Sequence, residues 1–310
     1  MMKIAVVFPG QGSQSVGMLF RLSERYEVVR STFAQASEVL QYDLWDLVQK
    51  GPKEELNQTC CAQPALLAAS FSIWRIWLQE GFPQPHFFSG HSLGEYSALT
   101  CAGSIDFVQA IKLVELRGQL MQEVAPVGTG AMSAIIGLDK SMVAEICKEI
   151  AGEEGGVVSP ANFNSLEQVV ISGHKKAVER AGIVCKKAGA KVVLPLSVSI
   201  PSHCILMRPA ARKLAKFLKS IRLHAPKIPV ISNADAAIVT EPEKIKEGLV
   251  RQLYNPVRWV EIIQKMDDLG IERLVEVGPG EVLTNLARRT VKTLKASTFN
   301  DASSSLELFR

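Results

Sequence analysis

The run Gly90-His91-Ser92-Leu93-Gly94 restricts the fold of this chain more than any other stretch. It follows His86–Gly90, which reads as a short strand, and opens Ser92–Cys101, which has helical character. G-x-S-x-G between a strand and a helix is the nucleophile elbow, a turn so tight that the serine side chain stands exposed. The free N–H groups of the helix that follows favour negative charge at that point. Glycine and serine are common in loops, so the five residues also fit an ordinary helix start with Ser92 as its cap. The strand–turn–helix context makes Ser92 a candidate nucleophile.

Strand-like and helix-like runs alternate along the whole chain, which argues for an α/β fold. Ile4–Phe8 reads as a buried strand, as do 229–233 and 273–277, and 60–79, 107–124, 209–221, 242–253 and 259–269 read as helices. The pattern breaks at Pro126-Val127-Gly128-Thr129-Gly130. From there to Leu196 the order is strand, helix, strand, strand, helix, strand: βαββαβ, the ferredoxin-like arrangement. We therefore expect a discontinuous large α/β domain, residues 1–127 and 198–310, carrying an inserted small subdomain at 128–197. The serine-rich end, Ser297–Arg310, reads as a loose tail.

Composition narrows the function. The chain of 310 residues is 47% hydrophobic and 21% charged, ordinary for a packed protein, and its net charge of +4 is too mild for a nucleic-acid binder. The six cysteines form no C-x-x-C pair, so no zinc or other metal site is expected, and reduced thiols fit best. Pro64–Leu78 is broken by Arg75 and too short for a membrane span, and Ile4–Phe8 is too short for a signal peptide. A cytoplasmic protein is expected.

A serine nucleophile needs a base. Among five histidines, His203 is the best candidate, because it follows the return to the large domain beside Pro201 and reads as the start of a helix. A base of ordinary imidazole range would lose activity as the pH falls from 8 to 5. Acidic residues between Ser92 and His203, such as Glu115, Asp139 and Glu167, sit at no evident strand end. A third triad member is thus absent or replaced by a neutral acceptor. Gly10-Gln11-Gly12-Ser13-Gln14 follows the first strand but lacks both the dinucleotide fingerprint and the P-loop lysine. Such a loop suits an oxyanion hole, with the N–H groups of Gln11 and Leu93 as the pair of donors.

Taken together, Phe8-Pro9-Gly10-Gln11-Gly12-Ser13-Gln14, Gly90–Tyr96, Pro201-Ser202-His203, Gln252–Val257 and Glu276–Gly280 resemble the malonyl-CoA:acyl-carrier-protein transacylases of bacterial fatty-acid synthesis. The resemblance runs in order from residue 3 to about residue 300. It implies an α/β-hydrolase-like large domain with a ferredoxin-like insertion. It also implies ping-pong transfer of malonyl from malonyl-CoA to Ser92 and then to a carrier-protein thiol, with no bound cofactor. His203 matches the family's base, Gln252 the residue whose carbonyl orients it, Gln11 and Leu93 the oxyanion donors, and Arg117 the arginine that holds the malonyl carboxylate. Read without the resemblance, Arg117 would pass for a surface helix charge. A monomer is expected, meeting an acidic carrier protein through Arg212, Lys213, Lys216 and Lys219 on one helix or Arg288, Arg289 and Lys292 on another. Ser165-Leu166-Glu167-Gln168 departs from the family pattern, with an effect expected on loop shape near the pocket mouth. A serine esterase or thioesterase, and a non-catalytic carrier-docking module, stay open as alternatives.

Overall fold

A computed structural model describes residues 2–125, 128–154, 156–196, 198 and 200–300. Strand β1 (Ile4–Phe8) is followed by four helices, α1 (Phe20–Arg25), α2 (Glu27–Leu40), α3 (Leu44–Lys50) and α4 (Lys53–Leu56). Next come the long helix α5 (Thr59–Gln79), β2 (Phe87–Gly90), α6 (Leu93–Cys101) and α7 (Phe107–Val124). A second group follows: β3 (Gly130–Ile136), α8 (Lys140–Glu154), β4 (Val158–Ser165), β5 (Gln168–His174), α9 (Lys175–Lys187) and β6 (Val192–Pro195). The chain then returns through a 3-10 turn, Ile205–Met207, to α10 (Arg208–Ser220), β7 (Val230–Ile231), β8 (Ile238–Val239), α11 (Pro242–Gln252), α12 (Trp259–Asp268), β9 (Arg273–Val277), α13 (Val282–Thr290) and β10 (Lys295–Phe299).

The larger sheet has the order β10-β9-β1-β2-β7-β8, and all its pairings are parallel except the last. Strand β1 lies at its centre, buried along its whole length. A parallel strand covered on both faces must be apolar throughout, and β1 sends alternate side chains into two cores. Val6 and Phe8 join the cluster under α5, whereas Ala5 and Val7 join the one under α12.

The smaller sheet is antiparallel, in the order β4-β5-β3-β6. Ile135, Ile146, Ile171 and Val178 form a core between it and helices α8 and α9. Its other face carries Met132 and Ala134, two residues apart on β3 and so on one side of the pleat. Strand β4 is joined to the large unit by main-chain bonds: Phe163 N–H donates to the Val257 carbonyl and Val257 N–H to the Ala161 carbonyl, each at 2.9 Å.

Three expectations need correction. Ser297–Phe299 is not a loose tail but the last three residues of the edge strand β10, which pairs with β9 and buries Ala296 and Phe299; residues 301–310 lie outside the described residues. His203 does not begin a helix: its φ is 61°, which no right-handed helix allows, and α10 starts at Arg208. Lys292 lies beyond α13, which ends at Thr290. The expected junctions involve residues 127 and 197, which are outside the described set. Among the described residues, no helix is long and apolar enough to cross a membrane.

Candidate active site

The elbow forms where β2 ends and α6 begins, at the carboxyl end of a central parallel strand. Its glycines are required by close approach. A Cβ on Gly90 would lie 2.0 Å from the Gly94 carbonyl oxygen, and one on Gly94 would lie 2.0 Å from that of Phe8. Between them Ser92 takes φ 53° and ψ −104°, a conformation that surroundings must impose on a residue with a Cβ. Asn233, just past β7, supplies that restraint. Its Oδ1 accepts the Ser92 N–H at 2.7 Å and its Nδ2 donates to the Gly90 carbonyl at 2.7 Å.

His203 Nε2 lies 2.8 Å from Ser92 Oγ, and Nδ1 lies 2.7 Å from the main-chain carbonyl of Gln252. A carbonyl only accepts, so Nδ1 carries the hydrogen and Nε2 is left to receive the serine proton. The backbone is pinned as well, His203 N–H donating to the Leu253 carbonyl at 3.0 Å. Burial, helped by the nearby Arg117 charge, pushes the imidazole down to about 3. The imidazole is therefore held neutral below its ordinary range, which would place an acid limb lower than the expected pH 8 to 5. Of the other histidines, His91 also lines the cleft, whereas His86 and His174 serve the scaffold. His91 Nε2 is 2.8 Å from Asn164 Oδ1, and the Nδ1 atoms of His86 and His174 accept the main-chain N–H groups of Ile4 and Val157.

Arg117 is no surface charge. It is 1% exposed on α7, a helix that Asp106 caps by accepting from Val108 and Gln109 N–H. Its Nη2 donates to Ser92 Oγ at 3.1 Å and to Gln252 Oε1 at 3.0 Å, and the guanidinium lies 5.2 Å from the centre of the Tyr96 ring. Its buried Nε has no hydrogen-bond partner. A buried cation with an unfilled donor is costly to keep, so a site built this way is complementary to an arriving anion.

Gln252 ties these groups together. Besides the two carbonyl contacts, its Nε2 donates to the Ser92 main-chain oxygen at 2.9 Å and to Glu95 Oε2 at 2.7 Å. Glu95 also accepts Asn233 N–H at 3.1 Å, and burial raises its carboxyl to about 7. Gln11 lines the cleft and donates its Nε2 to Thr59 Oγ1 at 3.1 Å, while Leu93 N–H heads α6 beside Ser92. Glu115 and Asp139 stay away from the histidine: Asp139 instead binds Ser141 N–H at 2.8 Å at the start of α8. The Ser165–Gln168 segment forms the turn between β4 and β5, away from the residues that line the cleft.

Sequence reasoning missed Glu95 and Asn233. Both carried a signal. Glu95 is a lone charge in the apolar helix Leu93–Cys101, one turn after the serine. Asn233 ends a strand-like run on the side where ligands of α/β sheets gather. The cleft has a volume of about 690 Å³, in the range of small-molecule sites. Four of its lining residues, Met132, Asn162, Leu196 and Val198, come from the small unit or the segment leaving it.

Comparison with known proteins agrees with this geometry. Residues 5–305 match the family described as the acyl transferase domain. The malonyl CoA-acyl carrier protein transacylase of Salmonella typhimurium is 58% identical over 301 residues, 97% of each chain. That of Bacillus subtilis is 43% identical over 97% of this chain and 94% of its own. The crystal structure of an acyl carrier protein S-malonyltransferase from Vibrio cholerae superimposes with a TM-score of 0.96 at 62% identity, covering 98% of this chain and 99% of that one. A malonyl-transacylase in complex with a type II polyketide-synthase acyl carrier protein gives 0.97 at 58% identity over 99% and 98% of the two chains. The buried serine, histidine and arginine thus sit in a chain that belongs to the acyl transferase family, among the malonyl CoA-acyl carrier protein transacylases.

Proposed function

We propose that this protein transfers malonyl from malonyl-CoA to the phosphopantetheine thiol of acyl carrier protein by a ping-pong mechanism. Ser92 Oγ attacks the thioester carbonyl while His203 Nε2 takes its proton. The carbon–sulfur bond breaks, and the coenzyme A thiolate leaves with the proton from the imidazolium. The carrier thiol then gives its proton to His203 and attacks the malonyl-Ser92 ester, and Ser92 Oγ recovers the proton. Gln11 and Leu93 N–H groups hold the oxyanion, Gln252 holds the imidazole, and Arg117 holds the malonyl carboxylate. Protein side chains and the acyl thioester supply every bond change, so no bound cofactor or metal enters the scheme.

The observation that carries this reading is Arg117, fully buried 3.1 Å from Ser92 Oγ with an unfilled Nε. A simple esterase has no use for a cation there. Intact-protein mass spectrometry after mixing with malonyl-CoA tests it. The wild type should gain one malonyl group and the Ser92→Ala variant none. Equal labelling of both, or wild-type ester lost to water as fast as it forms, would refute the scheme.

We read the large unit as α/β-hydrolase-like and the small one as ferredoxin-like, dividing the chain into 1–127 with 198–310, and 128–197. The strand order β4-β5-β3-β6 with its two helices supports the second reading. We read the protein as a monomer. The described thiols are free, which suits the cytoplasm. Arg212, Lys213, Lys216 and Lys219 on α10, and Arg288 and Arg289 in the last turn of α13 with Lys292 just beyond it, are exposed and suited to an acidic carrier.

A further inference from the structure

Among the described residues two carboxylates are buried, and they end on different partners. Glu276 accepts the N–H groups of Leu283 and Thr284 and so caps the start of α13. Glu95 accepts from Asn233 N–H and from the side-chain amide of Gln252. That amide has two ends with opposite demands. Its nitrogen faces three acceptors, Glu95 Oε2, the Ser92 carbonyl and, at 3.5 Å, Asn233 Oδ1, while its oxygen faces a donor, Arg117 Nη2. Turned over, it would set an NH2 group against the guanidinium and an oxygen against three oxygens.

We infer that Glu95 is a positioning residue for malonyl selectivity: it fixes the orientation of the Gln252 amide, which in turn aims the Arg117 guanidinium at the substrate carboxylate. Glu95 reaches neither substrate nor Arg117 by any direct hydrogen bond; it acts through Gln252. With Glu95 gone, the amide loses its shortest acceptor and keeps only the Ser92 carbonyl, a 3.5 Å contact to Asn233 Oδ1 and the Arg117 donor against rotation, and a rotated amide displaces Arg117 from its place beside Ser92. Acetyl transfer, which has no carboxylate to hold, loses less than malonyl transfer.

The test is the ratio of malonyl to acetyl specificity constants in three variants. Glu95→Ala should lower the ratio about tenfold, with most of the loss in malonyl transfer. Glu95→Asp keeps the charge but withdraws it from the amide, and should give an intermediate ratio. Glu95→Gln keeps an oxygen for Gln252 and Asn233, with its NH2 turned toward the unpartnered Ser232 Oγ on the same small cavity. It should recover most of the ratio lost in Glu95→Ala or Glu95→Asp. If Glu95→Ala does not fold, the aspartate variant carries the test against the glutamine variant. A wild-type ratio in Glu95→Asp, or a ratio in Glu95→Gln as low as in the shortened variants, overturns the inference. It rests on the reading that Arg117 binds the malonyl carboxylate, and Arg117→Ala separates the two failures. If that reading is wrong, Arg117→Ala leaves the ratio unchanged. If only the role of Glu95 is wrong, Arg117→Ala collapses the ratio while the Glu95 variants do not.

Discussion

The large unit presents Ser92, His203 and Arg117 to the cleft, each held by buried hydrogen bonds, whereas the small unit and its exit segment present Met132, Asn162, Leu196 and Val198, all uncharged. The two walls therefore make different physical contributions. The large-unit wall must hold polar atoms to a fraction of an ångström, and it does so on strand ends and helices with strained backbone at Ser92 and His203. The small-unit wall removes water from the same space, which strengthens the electrostatic contacts opposite it. Such a wall needs shape and low polarity more than exact placement.

Changes that break the large-unit wall should be the most severe. His203→Ala should fold and acylate at least about a thousand-fold more slowly, leaving only binding and oxyanion stabilisation. Single-turnover acylation within about tenfold of wild type would remove His203 as the base.

The pH dependence sharpens the same contrast. Burial and the Arg117 charge both depress the His203 imidazole, to about 3 in the empty site. Wild-type kcat/KM for acylation should then be flat from pH 8 to 5 and fall only in stronger acid. A malonyl carboxylate on Arg117 neutralises the second of these causes. The acid limb of acylation at saturating substrate should therefore lie at higher pH for malonyl than for acetyl. Coincident limbs would mean that the carboxylate binds elsewhere.

Glu95 gives a stability effect of opposite slope. Its folded carboxyl is raised to about 7, so its contribution is complete below the unfolded value and is lost as the pH rises through about 7. Glu95→Gln removes that loss. Its stability relative to wild type should improve by ~2 kcal/mol between pH 5 and pH 8, since a tenfold difference in proton affinity between folded and unfolded chains is worth about 1.4 kcal/mol. Denaturant melts of both proteins at the two pH values measure it; a difference independent of pH would show that Glu95 titrates normally.

The smallest effect belongs to the opposite wall. Met132→Ala should slow malonyl and acetyl transfer alike, by less than about tenfold, because the change alters packing and water exclusion without touching a charge. A change in the malonyl-to-acetyl ratio would erase the distinction between the walls.

How much of this was legible in the sequence differs between regions for physical reasons. The elbow, α7 and β9 could be read because their signals are local: a glycine-bounded turn, an Asp106 cap and an apolar run. The helices between Phe20 and Leu56 escape a sequence reading because three of the four span seven residues or fewer, too short for periodicity to show. Strand β10 escapes because only pairing with β9 makes Lys295–Phe299 a strand. Ser92 and His203 stand out by residue type and motif, whereas Arg117 is picked out only through the family resemblance, and its burial is a property of how α5, α6 and α7 pack. The Glu95–Gln252 contact joins residues 157 positions apart, and no local pattern announces it.

On the proposed function, a buried Arg117 beside the nucleophile makes this site one for malonyl. The ratio of malonyl to acetyl specificity constants in wild type and Arg117→Ala tests it most directly. Losing the partner of a desolvated carboxylate is worth roughly 2–5 kcal/mol, so malonyl transfer should fall by about 30-fold to several thousand-fold. Acetyl transfer should hold steady or improve, because the variant no longer leaves an unpaired cation against the methyl group. An unchanged ratio would contradict the account.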